Sequence, residues 1–141
     1  MELKVEPLTR DHIDYLDWPR GAIGEEQKKA YLSYGSVGYC LLSEGVPVFA
    51  GGIVNLGWRR GEAWILPTKF FRTHIIKCYR YVRDLLPVLS VEGSFRRVQA
   101  TCATTVSTLL FEHLKFRHEG VLEAFGPNGE TCHMYAKVFN T

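Results

Sequence analysis

Apolar and polar residues alternate along short stretches of this chain and recur at helical spacing in the segments between them. Leu3-Lys4-Val5-Glu6-Pro7 alternates and ends on proline, which predicts a first strand. Thr9 is placed to cap a helix with Leu8, Ile13 and Leu16 on its apolar side, and His12 stands where a full capping box has Glu or Gln. Trp18-Pro19 ends that helix, because the residue before proline disfavours helical backbone. Gly24 to Tyr34 predicts a second, weaker helix, with Glu25, Glu26, Lys28 and Lys29 facing water and Ala30 and Tyr31 turned inward. A meander follows: strands over Val37 to Ser43, Pro47 to Leu56 and Glu62 to Leu66, joined by turns at Glu44-Gly45 and at Gly57 to Gly61. Thr68 then caps a long helix whose Phe71, Ile75, Cys78, Val82 and Leu85 form one apolar stripe, ending at Leu86-Pro87. Arg97 to Cys102 alternates again, and Thr104 or Thr105 caps a helix carrying Leu109, Leu110, His113 and Leu114. Gly120 to Phe125 and Cys132 to Phe139 predict the last two strands, with a tight Asn-Gly hairpin at Gly126-Pro127-Asn128-Gly129. This order indicates a mixed α/β sheet with helices on both faces.

Composition narrows the class. The chain has 141 residues, 46% apolar and 13% aromatic, which suits one domain spanning 1–141 with a real core. A net charge of +2 is too mild to call for nucleic acid. No apolar run reaches the ~18 residues of a membrane span, so no membrane partner is expected. Met1-Glu2-Leu3-Lys4-Val5 opens no apolar signal region, and a cytoplasmic protein is expected. Cys40, Cys78, Cys102 and Cys132 are far apart and lie in apolar patterns, as buried reduced thiols do. Their spacing suits neither a disulfide framework nor a zinc site.

The last third carries a more specific signal. Arg97-Val98-Gln99-Ala100-Thr101-Cys102 is followed by Thr104 through Leu110 and then by Phe111-Glu112-His113-Leu114-Lys115-Phe116. Glu119-Gly120-Val121-Leu122 and Met134-Tyr135-Ala136 complete the series. In order and spacing these residues resemble the GNAT superfamily of N-acetyltransferases. More loosely, the Gly61-Glu62-Ala63-Trp64 strand and the Gly126 to Gly129 hairpin resemble GNAT-like proteins of tailed phages, internal virion proteins among them. The resemblance implies a central sheet of about seven strands splayed between strands 4 and 5. It also implies transfer of an acetyl group from acetyl-CoA to an amine, without a metal. Glu62 is then the candidate base. Trp64, Ile65 and Leu66 would offer backbone to the pantetheine arm, Lys69 and Arg72 charge to the CoA phosphates, and Thr104 a hydroxyl at the position of a pantetheine-contacting Asn.

Each departure from the pattern removes a physical device. The phosphate loop of the family has the form Q/R-x-x-G-x-G/A, and Thr68-Lys69-Phe70-Phe71-Arg72-Thr73 has no glycine to admit phosphates to the backbone. The tyrosine that protonates the leaving thiolate is Phe111, and Lys115 stands where a glycine ends the helix left-handed. Plainer readings stand beside these: Glu62 as a solvent-facing carboxylate near Arg59 or Arg60, Trp64 to Leu66 as core strand. Lys69, Arg72, Lys77, Arg80 and Arg83 also read as a solvated helix face. His113, His118 and His133 do not have the spacing of a metal site, though His113 lies near enough to Phe111 to serve as the acid. Two functions follow: an N-acyltransferase, whose partners are acetyl-CoA and an amine, or a non-catalytic GNAT-fold component of a phage virion, partnered by other virion proteins.

Overall fold

A computed structural model describes residues 3–18, 21–68 and 74–139. The alternating stretches form strands β1 (Lys4–Pro7), β2 (Val37–Ser43), β3 (Val46–Gly57), β4 (Arg60–Pro67), β5 (Arg97–Cys102), β6 (Arg117–Leu122) and β7 (Cys132–Val138). They make one seven-stranded sheet in the order β1-β2-β3-β4-β5-β7-β6. Neighbours run antiparallel except β4 and β5. That parallel ladder covers only Arg60 to Glu62 against Arg97 to Gln99, and beyond it the two strands part.

The helical segments are α1 (Arg10–Asp17), α2 (Glu25–Tyr31), α3 (Ile75–Glu92) and α4 (Thr105–His113). α1 and α2 cover one face, where Leu16 packs with Cys40, Leu42, Ala50 and Leu66, and Ile23 and Trp64 lie alongside. α3 and α4 cover the other. There Cys78 packs with Leu41 and Phe49, and Leu86, Leu89, Leu110, Phe111 and Leu114 close over Ile53, Val98 and Ala100. The two share a face because the crossovers β4–α3–β5 and β5–α4–β6 step the same way along the sheet, and crossovers between parallel strands keep one hand.

Local chemistry sets several boundaries as expected. The Thr9 hydroxyl accepts from the His12 amide at 3.3 Å, while His12 Nδ1 accepts from the Thr9 amide at 3.1 Å, so histidine completes the capping box. Thr104 caps α4 in the same way with Ser107. Trp18, at ψ 134°, leaves the helix one residue before Pro19. Glu44 and Gly45 both take positive φ, the requirement of a two-residue hairpin of the primed type.

Other boundaries differ from the sequence expectation, each for a tertiary reason. Thr68 does not cap the long helix; its hydroxyl donates to the Val48 carbonyl at 2.6 Å, and α3 starts at Ile75 after His74. Phe71 lies outside the described residues, Ile75 is exposed, and Cys78, Leu86 and Leu89 carry the buried stripe. Pro87 does not end α3, which runs on to Glu92. Proline leaves the Arg83 carbonyl without its helical donor, but both residues are exposed, and buried Leu86, Leu89 and Ser90 hold the last turns down. Lys28 is not solvated: its ammonium lies 3.0 Å from Asp14 and 3.2 Å from buried Asp17. β6 begins at Arg117 instead of Gly120 and stops at Leu122, so Phe125 is exposed in a loop. At the tip of that loop Gly129 alone has positive φ and Gly129 N–H donates to the Gly126 carbonyl, which is not the Asn-Gly hairpin expected.

All four cysteines are free and buried. Burial pushes the Cys40 thiol up to about 12, and Cys78 and Cys102 to about 11. For Cys102 the desolvation of the buried sulfur outweighs a contact with Ser107. The folded state therefore keeps these thiols protonated above the ordinary value of 9.0, where the unfolded chain ionises. The stability they contribute is complete below pH 9 and is lost as pH rises towards 11 to 12. Urea midpoints measured from pH 7 to 11 are expected to fall only above pH 9, and a thiol reagent at pH 7 is expected to label the chain only after unfolding.

Lys115 takes φ +68°, the left-handed turn that the resemblance implied for this position. A side chain there costs about 1 kcal/mol. Lys115→Gly is expected to raise the unfolding free energy by up to about that amount, less the extra freedom of the unfolded glycine. Calorimetry showing a lower Tm for the variant would mean that the turn is not strained.

Candidate active site

The parting of β4 from β5 organises the site. β4 pairs with β3 along its length, through Gly52 with Trp64, Gly51 with Ile65 and Ala50 with Leu66. Its other edge has a strand partner only as far as Glu62. From Ala63 onward that edge faces the gap; backbone groups alternate between the two edges, so the Trp64 carbonyl points to Gly51 of β3, and between Trp64 and Leu66 it is Ile65, with Ala63 before it, that turns its backbone to the gap. An extended ligand carrying amides can pair with such an edge as a further strand would.

Alternation places different chemistry on the two faces of the gap. Glu62 lies on the α1/α2 face, half-buried, and its Oε1 accepts from the Thr101 hydroxyl at 3.3 Å. It therefore bonds across the gap to β5 and not to Arg60, whose guanidinium turns back onto the Gly57 and Leu56 carbonyls. Beside it Tyr31 of α2 stacks on Trp64, with ring centroids 3.9 Å apart. Burial raises the Tyr31 hydroxyl above its ordinary range. Trp64 Nε1 is buried with no hydrogen-bond partner among the described residues.

On the α3/α4 face lies an apolar cleft with about 480 Å³ of empty space, part of it open to solvent. Ala63 and Ile65 of β4, Val82, Leu85 and Leu89 of α3, and Phe111 and Leu114 at the end of α4 line it. Phe111 is buried at 6% exposure and meets Phe116 edge-on at 4.9 Å between centroids. The ring occupies core, and it carries no acidic proton to donate. The Thr104 hydroxyl is committed to the α4 cap, 3.1 Å from the Ser107 amide and 2.8 Å from the Ser107 hydroxyl, so it has little left for a ligand. Lys69 and Arg72 lie outside the described residues.

The histidines make contacts of their own. The His113 carbonyl accepts from the Tyr79 hydroxyl at 3.2 Å, and the two rings meet edge-on. His118 and His133 come together across β6 and β7, with Nε2 and Nδ1 3.0 Å apart. Among the described residues no three metal-ligating side chains converge. Sequence reasoning missed Thr101 as the partner of Glu62 and Tyr31 as the stacking partner of Trp64. Both depend on which residues the sheet register and the α2 packing bring together, which alternation within one strand does not reveal.

A sheet with one parallel pair that opens after three residues, α1 and α2 on one face and α3 and α4 on the other, is a fold this chain shares with solved structures of N-acetyltransferases, one of them described as of the GNAT family. Ard1 from Thermoplasma volcanium aligns with a TM-score of 0.78 over 100% of both chains, at 9% identity. An acetyltransferase of the GNAT family from Streptococcus pneumoniae aligns at 0.75 over 98% of this chain and 100% of its own, at 14% identity. RimL, a ribosomal L7/L12 α-N-protein acetyltransferase in complex with coenzyme A, aligns at 0.72 over 96% of this chain and 93% of its own, at 14% identity. No protein-family model and no curated protein matches the sequence. At these identities the likeness is one of fold.

Proposed function

We propose that this protein is an N-acyltransferase that moves an acyl group, acetyl in the simplest case, from coenzyme A to an amine. The observation that carries the reading is the free edge of β4 beginning directly after Glu62, with a carboxylate on one face and an apolar cleft on the other. Coenzyme A supplies the acyl group as an activated thioester. The β4 backbone from Ala63 to Leu66 holds the extended arm and orients the thioester carbonyl, through the groups that Ala63 and Ile65 turn to the gap, with Trp64 and Leu66 flanking Ile65. Glu62 takes a proton from the incoming ammonium, directly or through water, so that the nitrogen lone pair is free. Nitrogen bonds to the carbonyl carbon and passes its second surplus proton to water, the carbon–sulfur bond breaks, and the thiolate leaves. Phe111 gives it no proton, so solvent does. Proximity and backbone polarisation then carry most of the rate.

The phosphates are assigned to Lys69 and Arg72, and a Lys69→Ala/Arg72→Ala double variant tests them. The reading itself is tested by thermal unfolding with acetyl-CoA. A ligand bound only by the native state adds about 2.7 kcal/mol at a hundred times its Kd. A raised Tm is expected, together with release of free thiol when a panel of primary amines is added. An unchanged Tm at millimolar acetyl-CoA would sink the reading. A cytoplasmic location accords with it, and among the described residues no helix is long and apolar enough to cross a membrane.

Two observations favour a second reading, a non-catalytic GNAT-fold component of a phage virion: the buried, proton-free Phe111 and the Thr104 hydroxyl taken up by its own helix. Its partners would be other virion proteins. Co-purification of the chain with assembled particles, without a Tm response to acetyl-CoA, is the result that selects it.

A further inference from the structure

We propose that the acyl group taken by this protein is an aliphatic chain longer than acetyl, with its tail in the apolar cleft beneath β4. The inference rests on the acyltransferase reading above and names the donor class. Ala63 and Ile65 belong at once to the free edge of β4 and to the wall of the cleft. A thioester held along that edge therefore has a continuous apolar path from its carbonyl inward, between β4 and α3.

The lining suits a hydrocarbon and little else. Leu41, Phe49, Val82, Leu85 and Leu89 face the space, and the Tyr39 hydroxyl on its wall donates to Glu92 at 3.3 Å. Such a lining, apolar with few polar groups, is that of a small-molecule site. Gly51 in the floor puts no side chain into the cleft. Phe111 completes the wall at the position where the resemblance implies a tyrosine. The change that removes a proton donor also removes the hydroxyl that an alkyl tail would have to desolvate. One substitution thus weakens the leaving-group chemistry and fits the cleft to a longer tail.

Each methylene buried from water adds roughly fourfold in affinity. Isothermal titration of the full chain with coenzyme A, acetyl-CoA, butyryl-CoA and hexanoyl-CoA reads this directly. Affinity is expected to climb along the series, with hexanoyl-CoA at least about tenfold tighter than acetyl-CoA. Leu85→Trp fills the cleft from α3 and is expected to bring that ratio to about one. Val82→Phe serves where the first variant does not fold. Equal or weaker binding of hexanoyl-CoA overturns the inference and leaves the acyltransferase reading intact. A chain-length gain that survives both fillings places the tail elsewhere and overturns it too. Failure of all four ligands to bind overturns the inference together with the reading on which it rests.

Discussion

Phe95→Ala is expected to lower the unfolding free energy by about 3–5 kcal/mol, the range for removing a fully buried aromatic ring. Phe95 is 1% exposed and packs in the cluster with Ile53, Leu89 and Val98. It sits where α3 hands the chain to β5, and its amide donates to the Ser90 carbonyl at 2.8 Å. The ring lies against two glycines. A Cβ at Gly93 would run into it, and one at Gly61 would meet it at 3.0 Å as well as Ile53. With glycine on both sides the surroundings have few side chains that can move in, so the cavity stays largely open, which puts the loss towards the upper end. Urea unfolding should show a lower midpoint at unchanged slope. Gly61 is also the middle residue of the short β4–β5 ladder. Amide exchange at Gly61 and Glu62 should therefore accelerate more than exchange in the β2–β3 hairpin. A loss below about 1 kcal/mol would mean that the site collapses around the missing ring and that Phe95 does not brace the closed end of the gap.

What could be read from the sequence, and what could not, follows from the range of the forces involved. Thr9 and Thr104 cap helices through partners three residues away, and Trp18 stops α1 because of its own neighbour. Such signals are local and survive folding unchanged. Alternation from Arg97 to Cys102 reported β5 to the residue because one face of that strand is buried throughout. Thr68 and Pro87 misled for the opposite reason. The Thr68 hydroxyl found an acceptor 20 residues back, and the helix-breaking tendency of Pro87 was overridden by the buried side chains around it. Lys28 looked solvated because its carboxylate partners are on another helix. The site shows the same division. The positions of Glu62 and Phe111 were legible, and so was the splay that the resemblance implied. The Glu62–Thr101 contact and the Tyr31–Trp64 stack were not, since each needs the register between segments more than 30 residues apart.

Glu62→Gln is expected to lower kcat for acyl transfer by about 10²-fold or more at neutral pH while leaving the fold in place. Glutamine keeps the length and the oxygen that accepts from Thr101, so the hydrogen bond across the gap at 3.3 Å can persist. What is lost is the capacity to take a proton. Affinity for acetyl-CoA should hold, because the assigned contacts to that ligand come from the β4 backbone and not from this side chain. A fall in kcat at unchanged ligand affinity is the signature of an interaction made only as the reaction proceeds. The pH dependence separates a base from a merely structural carboxylate. At neutral pH an alkylamine is almost wholly protonated, and the base must relieve it of that proton. As pH approaches the pKa of the amine, more of the nucleophile arrives neutral and the base contributes less. The wild-type to variant ratio of kcat should therefore shrink steadily from pH 7 to pH 10. A ratio near one at pH 7 would exclude Glu62 as the base. A large ratio that stays constant across the range would show that the carboxylate shapes the gap and moves no proton.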